Sequence, residues 1–178
     1  MEEDITFESF INAVKTYIKD EKEVELIEKA YKYADRVHAG EKRLSGEDYI
    51  VHPLNVAYIL TKIHSDYETL CAALLHDVIK MDDISNEELE SNFGSNITKL
   101  VIEVNKINKL SFNADSLYQI NYYKKILVGL CEDVRVIIIK LADRLHNMKT
   151  LWAIPEEKQK EKAKETLEIL APIAHRLG

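Results

Sequence analysis

The chain is poor in residues that interrupt helices, with five glycines and three prolines among 178 residues. No stretch sustains an apolar–polar alternation, so a strand-rich fold with frequent turns is excluded. Cysteine is scarce as well. Cys71 and Cys131 lack metal-type spacing and lie in apolar runs, which predicts buried, reduced thiols rather than a disulfide framework. Basic charge is in deficit, at 24 Lys and Arg against 31 Asp and Glu for a net charge of −7. That balance argues against direct nucleic-acid binding, which needs a basic surface. An anionic small molecule stays open, because a metal ion or a few local cations override the global sign. Long apolar runs are missing too: the longest, from Val134 to Ala142, is broken by Arg135 and Lys140 and falls far short of a membrane span. The start, MEEDITFESF, has no signal-peptide pattern. These absences predict a soluble, cytoplasmic protein.

What is present is helical periodicity. The apolar fraction of 46% and charged fraction of 31% belong to a globular chain with one sizeable core. Leu26, Ala30, Tyr33 and Val37 recur at helical spacing and form one stripe. Ser65-x-x-Glu68, Ser85-x-x-Glu88 and Ser116-x-x-Gln119 read as capping boxes. Pro53 and Pro155 suit first-turn positions. The pattern predicts helices near 5–19, 22–39, 53–64, 66–81, 86–93, 95–106, 116–130, 131–149 and 156–176. Polar connections fall at 40–52 and 106–115, and no repeat or low-complexity tract occurs. The expected fold is an all-α multi-helix bundle in a single domain over residues 1–178.

Candidate chemistry begins in ETLCAALLHDVIK, where His76 and Asp77 end an apolar face. Chance alone supplies about 0.4 His-Asp pairs in such a composition, so the pair is weak evidence by itself. A carboxylate beside that face is costly unless paired or bound to a cation, although a core histidine next to a capping aspartate explains the same segment. Two further segments share its character. In VRVIIIKLADRLHNMKTL, Asp143, Asn147 and Thr150 fall on one helix face. In YIVHPLNVAYIL, His52 stands just before Pro53, where the backbone is restricted. Two imidazoles and two carboxylates from three apolar elements can converge in a helical bundle. Such a set suits Mn²⁺, Fe²⁺, Co²⁺ or Zn²⁺, which polarise phosphoryl oxygens and activate water. His38, His64, His146 and His175 read as core or surface residues. For His146, one position off the Asp143–Asn147 face, supporting the site is favoured over ligation. SFNADS reads as a loop and EEKQKEKAKE as a solvated helix face.

The order H…HD…D resembles the HD superfamily of metal-dependent phosphohydrolases. HAGEKRLSGEDYIVHPLNVA, ETLCAALLHDV, VRVIIIKLADRLHNMKTL and ETLEILAPIAHRLG more narrowly resemble the N-terminal domain of the RelA/SpoT family, in collinear order from about Tyr31 to Gly178. The resemblance implies hydrolysis of the alarmone (p)ppGpp to GDP or GTP plus pyrophosphate with Mn²⁺. It implies His52, His76, Asp77 and Asp143 as metal ligands. Arg43, Ser45 and Tyr49 in RLSGEDY, with Thr150, match positions that hold the nucleotide, and Asn147 faces the reacting centre. It further implies that this domain is the N-terminal part of a longer protein carrying a (p)ppGpp synthetase domain.

Two positions depart from the pattern. Hydrolase-competent members read H-D-x-x-E-D where this chain reads H-D-V-I-K-M, so Lys80 and Met81 replace an acidic pair. In a continuing helix both would overlie the ligands by one turn, where an acid orients water or protonates the leaving group. Asp83 is about 4.5 Å farther along such a helix than Lys80 and would need local unwinding to reach the site. Lys124 also stands where the family has arginine, removing a bidentate contact. Three functions follow: a slowed (p)ppGpp hydrolase, a catalytically quiet domain regulating an attached synthetase, or an HD phosphohydrolase for another nucleotide, against which RLSGEDYIVHP speaks.

Overall fold

Helix α4, Tyr67–Leu75, is apolar on every side, and all of its residues from Thr69 to Leu75 are buried. A helix without a polar face has to be enclosed by others, and this one lies at the centre of the molecule. In the computed structural model, which describes residues 5–80, 84–108 and 133–177, α4 packs against α2 (Glu21–Val37), α3 (Val51–Thr61) and α6 (Ser95–Asn108). Helix α7, Val134–Lys149, lies against α3 and α6. Helices α1 (Phe7–Lys15) and α5 (Asn86–Phe93) close the outside against α3 and α6 respectively. The C-terminal segment runs through α8 (Glu156–Glu165), a π-helical turn at Thr166–Leu170, and α9 (Ala171–Leu177). The described residues contain no strand, only an isolated bridge between Lys42 and Asp48. The all-α expectation holds.

Helix α2 shows how the pattern becomes packing. Val24, Ile27, Ala30, Tyr33 and Ala34 form its buried face, while Leu26 and Val37 flank that face partly buried. The stripe is therefore rotated by about one residue from the one its periodicity suggests. Ser85 caps α5 by accepting from the Glu88 amide, as expected. Ahead of α4 the cap is Asp66, accepting from Thr69, rather than Ser65. Pro53 sits in the first turn of α3, and Pro155 is the residue immediately before α8. Cys71 is buried and free, and burial pushes its thiol pKa up. Cys131, Lys124, SFNADS, the 116–130 helix and its Ser116 cap lie outside the described residues.

The largest correction concerns the segment after α4. Instead of one helix over 66–81, α4 stops at Leu75 with His76 as its C-cap, and a 3₁₀ turn follows at Val78–Lys80. The one-turn overlay of Lys80 on His76, argued for a continuing α-helix, does not apply to this path. Met81, Asp82 and Asp83 lie outside the described residues, and Lys80 is described by its backbone alone.

Candidate functional site

Three elements meet at the end of α4. His76 caps that helix, His52 lies in the first turn of α3, and Asp143 lies inside α7. One ligand atom from each of these buried residues lies within 4.8 Å of the others. Nε2 of His52 is 3.2 Å from Oδ1 of Asp143, and Nε2 of His76 is 4.0 Å from the same oxygen. Asp77 adjoins this group, with Oδ1 3.4 Å from Nε2 of His76.

The protons can be assigned from the partners. Nδ1 of His76 lies 2.6 Å from the Ala73 carbonyl, which can only accept, so Nδ1 carries the hydrogen. In the neutral ring Nε2 then offers a lone pair, and this buried atom has no hydrogen-bond partner. His146 settles the second ring. Arg43 can only donate, and its Nη1 is 3.1 Å from Nδ1 of His146, making that nitrogen an acceptor. Nδ1 of His52, 2.9 Å away, must then donate to it as well. Nε2 of His52 is left as a lone pair facing Asp143.

Charge follows the same lines. Burial keeps His52 below its ordinary pKa despite the nearby Asp143. His146 is lowered to about 3, by burial first and then by His52 and Arg43. For Asp143 burial opposes ionisation, but its surroundings, the Lys140 ammonium foremost, hold the pKa well below the usual range. Two lone pairs and an ionised carboxylate thus point at one another in a buried space. That arrangement repels itself unless a cation stands between them. Ligands about 2.1 Å from one ion and at right angles lie about 3 Å apart, close to the shorter spacings found here. The donor set fits a divalent metal.

The remaining expected residues line the surroundings. Arg43 is delivered by a tight hairpin in which its amide and carbonyl bond to Glu47 and Gly46. Gly46, at φ 91°, occupies the left-handed region that the turn requires. The Arg43 guanidinium donates to Asn147 Oδ1 at 2.7 Å, and Asn147 Nδ2 donates to Asp143 Oδ1. Asn147 therefore ties Arg43 to Asp143. The Tyr49 hydroxyl donates to Oδ2 of Asp77 at 2.6 Å, while its ring stacks on His38. Burial, then Asp77, raises the Tyr49 pKa. Thr150 is the C-cap of α7, and Ser45 Oγ is buried without a hydrogen-bond partner.

A cleft of roughly 290 Å³ opens over the group, with Arg43, Lys140, Arg144 and Lys162 in its wall beside Thr150 and Ile154. A second cleft, containing Ser45, shares Arg43, Tyr49, Thr150 and Ile154 with the first. Against Asp77 and Asp143 in the same wall, these four cations leave a local positive excess in an acidic protein, which suits an anion. Lys140, Asn108 and the direct contact of His146 with His52 are additions to what the motifs suggest. Lys140 could have been noticed as a charge inside an apolar run three residues before Asp143.

The comparisons agree with this architecture. The HD-domain family matches residues 30–178. The chain is 49% identical over 154 residues to the guanosine-3′,5′-bis(diphosphate) 3′-pyrophosphohydrolase of Aquifex aeolicus, covering 86% of this chain and 22% of that protein. It is 44% identical over 172 residues to the bifunctional (p)ppGpp synthase/hydrolase SpoT of Escherichia coli K12, covering 97% and 24%. A GTP pyrophosphokinase of Streptomyces coelicolor is 48% identical over 152 residues, covering 85% and 18%. The chain thus spans about a fifth to a quarter of the length of these relatives. The solved structure of a metazoan ortholog of SpoT that hydrolyses ppGpp superposes with a TM-score of 0.65 at 29% identity, covering 82% of this chain and 85% of that one. The chain belongs to the HD-domain family and is homologous over most of its length to the SpoT/RelA (p)ppGpp pyrophosphohydrolases.

Proposed function

We propose that this domain binds Mn²⁺, or a similar divalent ion, together with (p)ppGpp. It removes the 3′-pyrophosphate to leave GDP or GTP, at a rate reduced by Lys80 and Met81. The observation that carries this reading is the convergence of two imidazole lone pairs and the Asp143 carboxylate beneath a cleft walled by four cations. His52, His76, Asp77 and Asp143 are the ligands. When bound, the ion supplies Lewis-acid polarisation of a phosphoryl group and lowers the pKa of water.

The protein's own groups do the rest. Arg43, fixed by Asn147 and His146, presents its planar fork at the cleft edge, where it suits a phosphate or a stacked base. Ser45, Tyr49 and Thr150 border the adjoining cleft and hold the nucleoside end. Asn147 sits on the metal-ligand oxygen of Asp143, placing its amide beside the reacting phosphorus. The names of the relatives, and their greater length, support a synthetase domain as the covalent partner in a cytoplasmic protein.

The sequence H-D-V-I-K-M favours a second reading, a quiet HD domain that regulates an attached synthetase. A ppGpp turnover assay with Mn²⁺ separates the two. A slowed hydrolase releases pyrophosphate measurably, and the Lys80→Glu/Met81→Asp double variant gains about 10²- to 10⁴-fold. No release by the wild type above a His76→Ala control, with a gain in the double variant, would establish the quiet domain instead.

A further inference from the structure

Lys140 is 7% exposed, in an otherwise apolar stretch of α7 between Ile139 and Leu141. A lysine at that depth is costly unless its ammonium is engaged. Its Nζ donates to Asn108 Oδ1 at 2.6 Å and to Asp143 Oδ2 at 3.1 Å. The two oxygens of Asp143 therefore have separate duties. Oδ1 faces both Nε2 atoms and accepts from Asn147, whereas Oδ2 is occupied by the ammonium. Asp77 repeats the division: its Oδ2 takes the Tyr49 hydroxyl, and its Oδ1 lies against Nε2 of His76.

A carboxylate with both oxygens available can chelate an ion and use two coordination positions. One whose second oxygen is held by a buried ammonium gives only the first. We propose that Lys140 is a positioning residue that restricts Asp143 to single-oxygen ligation, keeping a coordination position open for water or a substrate oxygen. This role rests on the metal-centre reading of the site. It has a distinct rival, a purely electrostatic role in which the ammonium merely offsets negative charge. The rival also forecasts tighter cation binding once the positive charge is removed, but with the number of exchangeable waters unchanged.

The test titrates the folded protein with Mn²⁺ alone, following affinity by calorimetry and the ion's exchangeable waters by water-proton relaxation. Lys140→Met keeps the length of the side chain and removes its donors. The expected result is fewer exchangeable waters on each bound ion, with Mn²⁺ binding at least as tight as wild type, because the freed second oxygen adds a bond. Lys140→Arg restores the wild-type water count. Should Lys140→Met fail to unfold cooperatively, Lys140→Gln decides, since it keeps an N–H donor without the charge. Positioning requires the glutamine variant to retain the wild-type water count. An unchanged water count in Lys140→Met, at whatever affinity, overturns the role while leaving the metal centre intact. Failure of the wild type itself to bind Mn²⁺ beyond a His52→Ala control overturns both together.

Discussion

Whether His52 can serve a metal depends on which of its nitrogens carries the proton, and His146 decides that. By accepting from both Arg43 and His52 it turns the Nε2 lone pair of His52 toward Asp143. His146→Leu removes the acceptor, so the expected outcome is about 10- to 100-fold weaker Mn²⁺ binding by calorimetry. His146→Asn, whose amide oxygen can accept in place of Nδ1, is expected to recover part of the loss. The sequence made His52, His76 and Asp143 visible because each lies where an apolar helix gives way to, or encloses, a polar group. His146 was legible only as a neighbour of that pattern. Its partners Arg43 and His52 are 103 and 94 residues away, and no local spacing encodes such contacts. Tyr49 illustrates the same limit, since its hydroxyl on Asp77 follows from how the hairpin at residues 41–49 closes and seats the Tyr49 ring on His38.

At the scale of elements, periodicity located the helices and misjudged some of their ends. Ser65 and Asp66 are both competent caps, and only the backbone at φ −65°, ψ 166° shows that Asp66 reaches the Thr69 amide. The early end of α4 was hidden because Val78 and Ile79 continue the apolar character past His76. At the head of α7, Asp133 accepts from the Arg135 amide and from its guanidinium. That side-chain contact lowers the Asp133 pKa against the opposing effect of burial. A carboxylate with a depressed pKa in the folded state stabilises above its unfolded value, and that contribution disappears as pH falls through the folded value. Asp133→Asn keeps the cap and drops the charge. Urea unfolding should show it less stable than wild type by under about 1 kcal/mol at pH 7, with the gap closing below about pH 4. Asp133→Ala also loses the cap and should cost a further ~1 kcal/mol at either pH.

Across the whole molecule, the C-terminal helix is fastened to the site helix by one buried ion pair. Arg144, directly after Asp143, donates to Glu165 Oε2 at 2.6 Å, to the Lys162 carbonyl at 3.1 Å and to Thr166 Oγ1 at 3.3 Å. Both charged residues are almost inaccessible, at 5% and 2% exposure, although Glu165 ends the segment whose composition suggested a solvated face. The contacts fall where α8 passes into the π turn, so the clasp holds the irregular part of that helix. It also carries Lys162 into the cleft wall. Removing one member of such a pair leaves a buried charge poorly compensated, whereas replacing both with apolar residues is often close to neutral. Arg144→Met alone is therefore expected to lower the unfolding free energy by about 3 kcal/mol, read from the urea midpoint at constant slope. Arg144→Met/Glu165→Leu should recover most of that loss. Equal destabilisation in the single and double variants would mean that the geometry of the guanidinium, rather than the stranded carboxylate, fastens the helix.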